Sequence, residues 1–184
     1  MIIFKKTCQL HHFLQQQKQQ KKRIGFAPTM GALHEGHLSL IKRCKTQNDV
    51  TVCSIFINPL QFNNAQDLQM YPKTIENDIE QLVLSYCDVL FYPLADEVYP
   101  PGYSGKQYDL GKIETILEGK FRLGHFQGVC QVMDRLLHIV EPGTLYLGQK
   151  DYQQCLVIKK LVQLLGKENE IKLNFVETKR EPDG

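Results

Sequence analysis

No stretch of the 184-residue chain approaches the roughly 18 consecutive apolar residues that a membrane-spanning helix needs. The amino-terminal MIIFKKTCQLHHFLQQQ has a short apolar start but no long apolar centre, which argues against a secretory leader. Net charge is only +2, too small to point to nucleic acid or to an anionic membrane as a partner. Six cysteines occur, at 8, 44, 53, 87, 130 and 155, yet none forms a C-x-x-C pair, and their spacing suits neither a disulfide framework nor a zinc ribbon. Most stand in apolar stretches, so they are expected as reduced core thiols in a cytoplasmic protein. There is no G-x-x-x-x-G-K-[ST] and no G-x-G-x-x-G, so neither a Walker-type phosphate loop nor a nicotinamide fingerprint is present. Internal repeats are also lacking.

What is present is an ordinary globular composition, 42% hydrophobic and 23% charged, on a chain whose length predicts one domain over 1–184. The low-complexity run QQQKQQKKR, 15–23, reads as a solvated helix end, because no aromatics interleave its bases as nucleic-acid binding would require. After it, strands and helices alternate. RIGFAPT reads as a strand ending at Pro28. HLSLIKRCKTQ, apolar at 38, 40, 41 and 44, reads as a helix. DVTVCSIFI is continuously apolar, as a strand buried on both faces should be. TIENDIEQLVLSYC opens on a threonine N-cap and shows helical period at 79, 82, 83 and 86. Strand DVLFYP, helix FQGVCQVMDRLLHIV, strand GTLYLG, helix DYQQCLVIKKLVQLL and strand EIKLNFVE follow, with Asp151 expected to cap the last helix. This β-α alternation predicts an α/β fold with a doubly wound parallel sheet and right-handed crossovers. The Gly-, Pro- and Tyr-rich segment from Tyr99 to Lys112 is expected as a surface excursion near the site and outside the core.

In such a sheet, ligands bind off the carboxyl ends of the strands. Three polar clusters follow strands: PTMGALHEGH, then Asn58-Pro59-Leu60-Gln61, then Gly148-Gln149-Lys150-Asp151. His34 and His37 stand at a helix start, where amide groups and the helix dipole favour an anion. Gly31 and Gly36 let the backbone turn tightly and come close to a ligand. Two imidazoles three residues apart can hydrogen-bond phosphate oxygens and donate to charge developing on them. HEGH is one residue short of the zinc-protease H-E-x-x-H, and a capped helix with solvated histidines is the plain alternative. Lys150 offers a point charge to phosphate, and Gln154 shares the helix face of Asp151; a lysine beside a cap with no ligand would look the same. The Gln61 amide supplies both a donor and an acceptor, which suits a small hydroxy acid, though it also fits an ordinary loop. Arg122 and His125 in EGKFRLGHFQGV either face an anionic substrate or lie on the surface.

Taken in order, PTMGALHEGHLSLI, SIFINPLQF, YP…T…D, RLGHFQGV and LYLGQKDYQQCLVIKKLV resemble the pantothenate synthetase (pantoate–β-alanine ligase) family, from about Ile24 to the last residue. The H-x-G-H element is also similar to the signature of the wider nucleotidylyltransferase and class I aminoacyl-tRNA synthetase superfamily; NPLQF and GQKDYQQ narrow the likeness. The resemblance implies a Rossmann-like sheet and a two-step reaction. ATP and pantoate form a pantoyl adenylate and release pyrophosphate, and the amine of β-alanine then displaces AMP. It implies that Met30, Gly31, Ala32, Leu33, His34, Glu35, Gly36 and His37 line the ATP site with Gly148, Gln149, Lys150, Asp151 and Lys179. His34, His37 and Lys150 would be the catalytic residues, with His37 as proton donor. Gln61, Gln154 and Asn58 would hold pantoate, and Gln61 would also meet β-alanine. Mg²⁺ is implied with the ATP phosphates. The family's carboxylate pair falls here on Asn77 and Asp78, so Asp78 alone is carried over as its ligand. A homodimer formed through this domain is implied as well. The chain stops at TKREPDG, on an expected exposed Asp-Gly turn, ahead of the family's SSRN loop and carboxyl-terminal lid domain. The expectation is therefore a truncated chain that binds pantoate or nucleotide weakly and turns over poorly. The alternatives are another H-x-G-H nucleotidylyltransferase or a non-catalytic nucleotide-binding or dimerisation module.

Overall fold

β3, Val50–Ile55, is the strand around which the rest assembles, and all six of its residues are buried. A computed structural model describes residues 1–62 and 64–180; the expected Asp183-Gly184 turn lies outside these residues. β2 (Ile24–Thr29) runs parallel to β3, from Ile24 opposite Val50 to Thr29 opposite Ile55. On the other side of β3 lies β4 (Val89–Phe91), and beyond it β1 (Ile2–Phe4) forms the edge. β5 (Thr144–Gly148) pairs with β2, and β6 (Lys172–Val176) closes the opposite edge. Every pairing is parallel, in the order β1-β4-β3-β2-β5-β6.

The helices between these strands are α1 (Thr7–Gln19), α2 (Glu35–Gln47), α3 (Ala65–Met70), α4 (Ile75–Leu84), α5 (Ala95–Val98), α6 (Glu118–Phe121), α7 (His125–Val140) and α8 (Tyr152–Leu164). Single 3₁₀ turns sit at Pro59–Gln61 and Gly111–Glu114. Because side chains alternate across a strand, the inner strands β2 to β5 feed two cores. Phe26, Val52, Phe91 and Leu145 pack with Leu14 of α1, Leu136 of α7 and Ile158 of α8. Ala27, Cys53, Leu90 and Tyr146 face the other way, onto Ile41 and Cys44 of α2 and Leu82 of α4. Full burial of a side chain such as Phe26 contributes about 1.5–3 kcal/mol. The doubly wound sheet is as expected. From β2 the chain winds to β3 and β4 on one side and, after returning, to β5 and β6 on the other. The reversal between β2 and β5 opens a crevice at their carboxyl ends.

Several local expectations are corrected. β2 continues through Pro28 to Thr29. Proline is tolerated because β5 pairs with β2 only at Gly25 and Phe26, so no partner there asks for the missing N–H. β1 was not foreseen, since a three-residue edge strand shows no period. α4 ends at Leu84, and Val83 and Tyr86 are exposed instead of facing the core; Asp78 and Leu82 set its buried face. Thr74 stands at the N-cap of α4, but its hydroxyl donates to Asp78 and makes no cap bond. Asp151 likewise occupies the N-cap of α8 without capping it; its carboxylate lies 3.4 Å from Lys150 Nζ. In the 99–112 excursion, Tyr108 and Leu110 are buried in the core. Of the six cysteines, all free, Cys8 is exposed and the other five are buried. The 15–23 run is a helix end as expected: α1 finishes at Gln19 and none of these nine residues is buried.

Candidate functional site

The loops after β2, β3 and β5 meet at one edge. Thr29, His37, Asn58, Gln61, Asp151 and Gln154 line a cavity of about 180 Å³, floored by apolar residues of α7 and α8 such as Val129, Met133 and Ile158. A larger groove, about 970 Å³, opens at the opposite edge among Lys18, Arg23, Glu141 and Lys172. None of the candidate residues lines it, and it lies at the amino ends of the strands, away from the crevice where a doubly wound sheet gathers its ligands.

α2 begins directly after His34, whose ring caps the helix: Nδ1 accepts from the Gly36 amide at 3.1 Å. The proton of a neutral His34 therefore sits on Nε2. Gly36 makes this possible, because a Cβ there would lie 2.8 Å from the imidazole Cε1. The His37 ring packs on that of His34, with centroids 4.0 Å apart. Burial pushes His37 down to about 4, the nearby His34 adds to the fall, and Asp151 and Asp78 oppose it. His37 is thus a neutral ring at neutral pH, and an anion arriving beside it would raise its proton affinity. Its Nδ1 is buried with no partner.

The amides of the loop are placed differently from expectation. The Ala32 and Leu33 N–H groups donate to Asp78 and the Gly31 N–H to Thr29 Oγ1. With the Gly36 amide on His34, four of the loop's donors hold the loop itself. What the loop presents toward an anion is therefore the two imidazoles and the amino end of α2. Asp78, the residue carried over as a Mg²⁺ ligand, is 1% exposed, each oxygen accepts a loop amide, and its neighbour Asn77 is exposed. Among the described residues no group of three His, Cys, Asp or Glu stands ready to hold a metal ion.

Asn58 is 1% exposed and its amide is fully used. Oδ1 accepts from the Leu60 N–H at 3.2 Å and from Tyr99 Oη at 2.8 Å. Nδ2 donates to the Gly128 carbonyl at 3.1 Å and to Gln61 Oε1 at 3.2 Å. In this state Asn58 orients Gln61 and keeps no hydrogen-bonding capacity for a ligand of its own. Gln61 Nε2 then points at the Met30 sulfur across the cavity. His125 is buried, and its Nδ1 donates to the Gln61 carbonyl at 2.9 Å. Burial pushes this ring down too, opposed by the Gln61 carbonyl. Arg122 pairs with Glu118 on the exposed surface of α6, away from the cavity.

On the β5 side, Gly148 ends its strand opposite Val176, and the Gln149 amide donates to the Val176 carbonyl at 2.9 Å. Lys150 is exposed, and its charge reaches His37. Gln154 lines the cavity one turn after Asp151, on the shared face expected for it. Lys179 pairs with Glu35 at 2.6 Å, which brings the segment after β6 against the first turn of α2.

The sequence model of the pantoate-beta-alanine ligase family matches residues 2–184. The chain belongs to the pantoate–β-alanine ligase family. It is 45% identical over 164 residues to the pantothenate synthetase of Flavobacterium psychrophilum, covering 89% of this chain and 58% of that protein. To the pantothenate synthetase of Francisella tularensis subsp. novicida it is 50% identical over 163 residues, covering 89% and 62%. The chain thus spans about three-fifths of the length of these relatives. Its fold matches the pantoate-beta-alanine ligase of Francisella tularensis, solved in complex with beta-gamma ATP and beta-alanine, with TM-score 0.93 and 46% identity over 99% of this chain and 69% of the other. The Thermus thermophilus pantothenate synthetase matches at TM-score 0.92 and 39% identity, over 100% of this chain and 64% of the other.

For a member of this ligase family, the sequence reading missed the supports behind the cavity. Gly128 lets α7 press on the Asn58–Gln61 turn, since a Cβ there would lie 2.7 Å from Gln61 Cα. A glycine inside an otherwise apolar helix was the available signal. Tyr99 lay in the segment read as a surface excursion. Gln153 was overshadowed by Gln154. It is buried, donates to the Ile113 and Ile116 carbonyls at 2.7 and 2.8 Å, and accepts from the Glu118 amide at 3.0 Å, tying 113–118 to α8.

Proposed function

We propose that this chain carries the nucleotide- and pantoate-binding part, over residues 1–184, of an ATP-dependent pantoate–β-alanine ligase. The observation that carries the reading is that His37, Gln61 and Gln154, from three separate strand ends, line one cavity with an apolar floor. A small hydroxy acid with an apolar body and polar edges suits that lining. The pantoate carboxylate attacks the α-phosphate in line and pyrophosphate leaves; the β-alanine amine then attacks the acyl carbon and AMP leaves. The protein's part is to place two reactants and to donate to phosphate oxygens from His34 Nε2, from His37 and from Lys150. Met30 to His37 and Gly148 to Asp151 flank the nucleotide, Lys179 lies near it, and Gln61 and Gln154 hold pantoate. Mg²⁺ carried on the nucleotide's phosphates would offset their charge. The Francisella relative's complex with beta-gamma ATP and beta-alanine supports the assignment of substrates.

The test is pantoate-dependent ATP–pyrophosphate exchange by this chain, with the Francisella relative assayed in parallel as a positive control. His37→Ala is expected to lower exchange ~10²–10³-fold. Unchanged exchange in that variant would overturn the histidine assignment. The same reading includes a cytoplasmic location and a homodimer. Leu117, Phe121 and Tyr152 are large, apolar and exposed, and they stand on segments that Gln153 ties together, which supports self-association there. Sedimentation showing only monomer at micromolar concentration would remove the dimer.

A further inference from the structure

We infer that Asp78 is a positioning residue for the 30–33 loop, and that this task takes the place of metal ligation in this chain. The loop joins two residues with left-handed backbone, Gly31 at φ +86° and Ala32 at φ +50°. Ala32 pays a conformational cost there that glycine would not, so the conformation persists only if its surroundings over-determine it. Asp78 supplies that constraint. Its Oδ2 accepts the Ala32 N–H at 3.0 Å and its Oδ1 the Leu33 N–H at 2.8 Å. The Thr74 hydroxyl donates to Oδ1 at 3.2 Å and steadies the carboxylate from its own helix start. A second fastening ties the end of β2 to β3, where Thr29 Oγ1 accepts the Gly31 N–H and donates to the Ser54 carbonyl at 2.7 Å. A carboxylate 1% exposed, with an amide on each oxygen, is satisfied without a cation. The orientation of His34 and His37 then depends on α4, an element that contributes no lining to the cavity.

The proposal concerns the loop itself; only its consequence for nucleotide rests on the function proposed above. Amide exchange by NMR tests it in this chain, with Asp78→Asn and the gentler Thr74→Val. Asp78→Asn turns an amide NH₂ toward one of the two loop N–H groups. Exchange at Ala32 and Leu33 should accelerate at least about tenfold, the loss of one charge-assisted bond, while Val52 and Ile41 keep their protection. Thr74→Val should give a smaller acceleration at the same two amides, and it decides the matter if Asp78→Asn fails to fold. Mn²⁺ binding without nucleotide, followed by electron paramagnetic resonance, should be the same in wild type and variants. Unaltered exchange at Ala32 and Leu33, or Mn²⁺ binding by wild type that Asp78→Asn abolishes, overturns the proposal. ATP titration adds the functional arm: the dissociation constant should rise about tenfold in Asp78→Asn. A wild type that binds no ATP would count against the ligase reading and leave the exchange result to decide the role of Asp78.

Discussion

Gly128→Ala is the most direct probe of how the substrate cavity is shaped. The new methyl carbon would sit 2.6 Å from the Leu60 carbonyl carbon and 2.7 Å from Gln61 Cα, against an ordinary contact of 3.4 Å or more. The obstacle is backbone, so no side chain can swing aside. The Leu60 carbonyl oxygen lies nearer still, so either α7 or the 59–61 turn must move by about 1 Å. Overpacking of this kind costs about 1–3 kcal/mol. For a chain of this size that lowers Tm by ~3–10 °C. The displacement stretches the Asn58–Gly128 and His125–Gln61 hydrogen bonds, which set where the Gln61 amide points. A misplacement approaching 1 Å in a substrate-holding group costs ~10²-fold in rate. Thermal unfolding by circular dichroism and pantoate-dependent pyrophosphate exchange read the two effects. Gly143→Ala is the control, since its Cβ would meet only the Ile24 carbonyl at 3.8 Å. If Gly128→Ala melts and exchanges like Gly143→Ala, the close approach of α7 is not what shapes the cavity.

Two further outcomes are expected. His37 is held at about 4, well below its ordinary 6.5, and His125 is lowered in the same direction. The unfolded chain therefore binds more protons between these values, and stability falls as pH drops from about 6.5 toward 4. The His37 share is at most on the order of 3 kcal/mol. Urea midpoints at pH 7, 5.5 and 4.5 for wild type and His37→Gln measure it, and an identical pH slope in the two proteins refutes it. Asn58→Asp keeps the acceptor for Tyr99 and Leu60 but sets a carboxylate against the Gly128 carbonyl and Gln61 Oε1 in a buried place. A loss of about 2–5 kcal/mol is expected; differential scanning fluorimetry showing Tm within ~1 °C of wild type would contradict the full occupancy of that amide.

The winding of the sheet was legible because its inner strands, β2 to β5, are largely buried on both faces and separate cleanly from amphipathic α2, α7 and α8. The convergence of His37, Gln61 and Gln154 was legible as well, since a parallel sheet gathers whatever follows its strands. The direction of individual hydrogen bonds was not. Threonine and aspartate at helix starts announce a cap, yet Thr74 turns to Asp78 and Asp151 to Lys150, because a charged neighbour competes with the helix amides. The loop donors looked free for phosphate, and only the fold shows Asp78 arriving from 45 residues away to take the Leu33 N–H. Tyr108 and Leu110 were read as surface because Gly and Pro dominate their surroundings, and local composition carries no information about which core lies beneath.

The cysteines give the molecule a use that its chemistry does not need. Burial pushes Cys44, Cys87 and Cys130 up to about 12 and Cys155 up to about 11, and it raises Cys53 well above the ordinary thiol value, so their thiolate populations at neutral pH are minute. Cys8 stands exposed on the first turn of α1. A thiol-alkylating reagent therefore meets one accessible cysteine and five that become available only when a layer of the sheet opens. The native chain carries an internal clock for its own breathing. Cys44, Cys53 and Cys87 time the layer under α2 and α4, and Cys130 and Cys155 time the layer under α7 and α8.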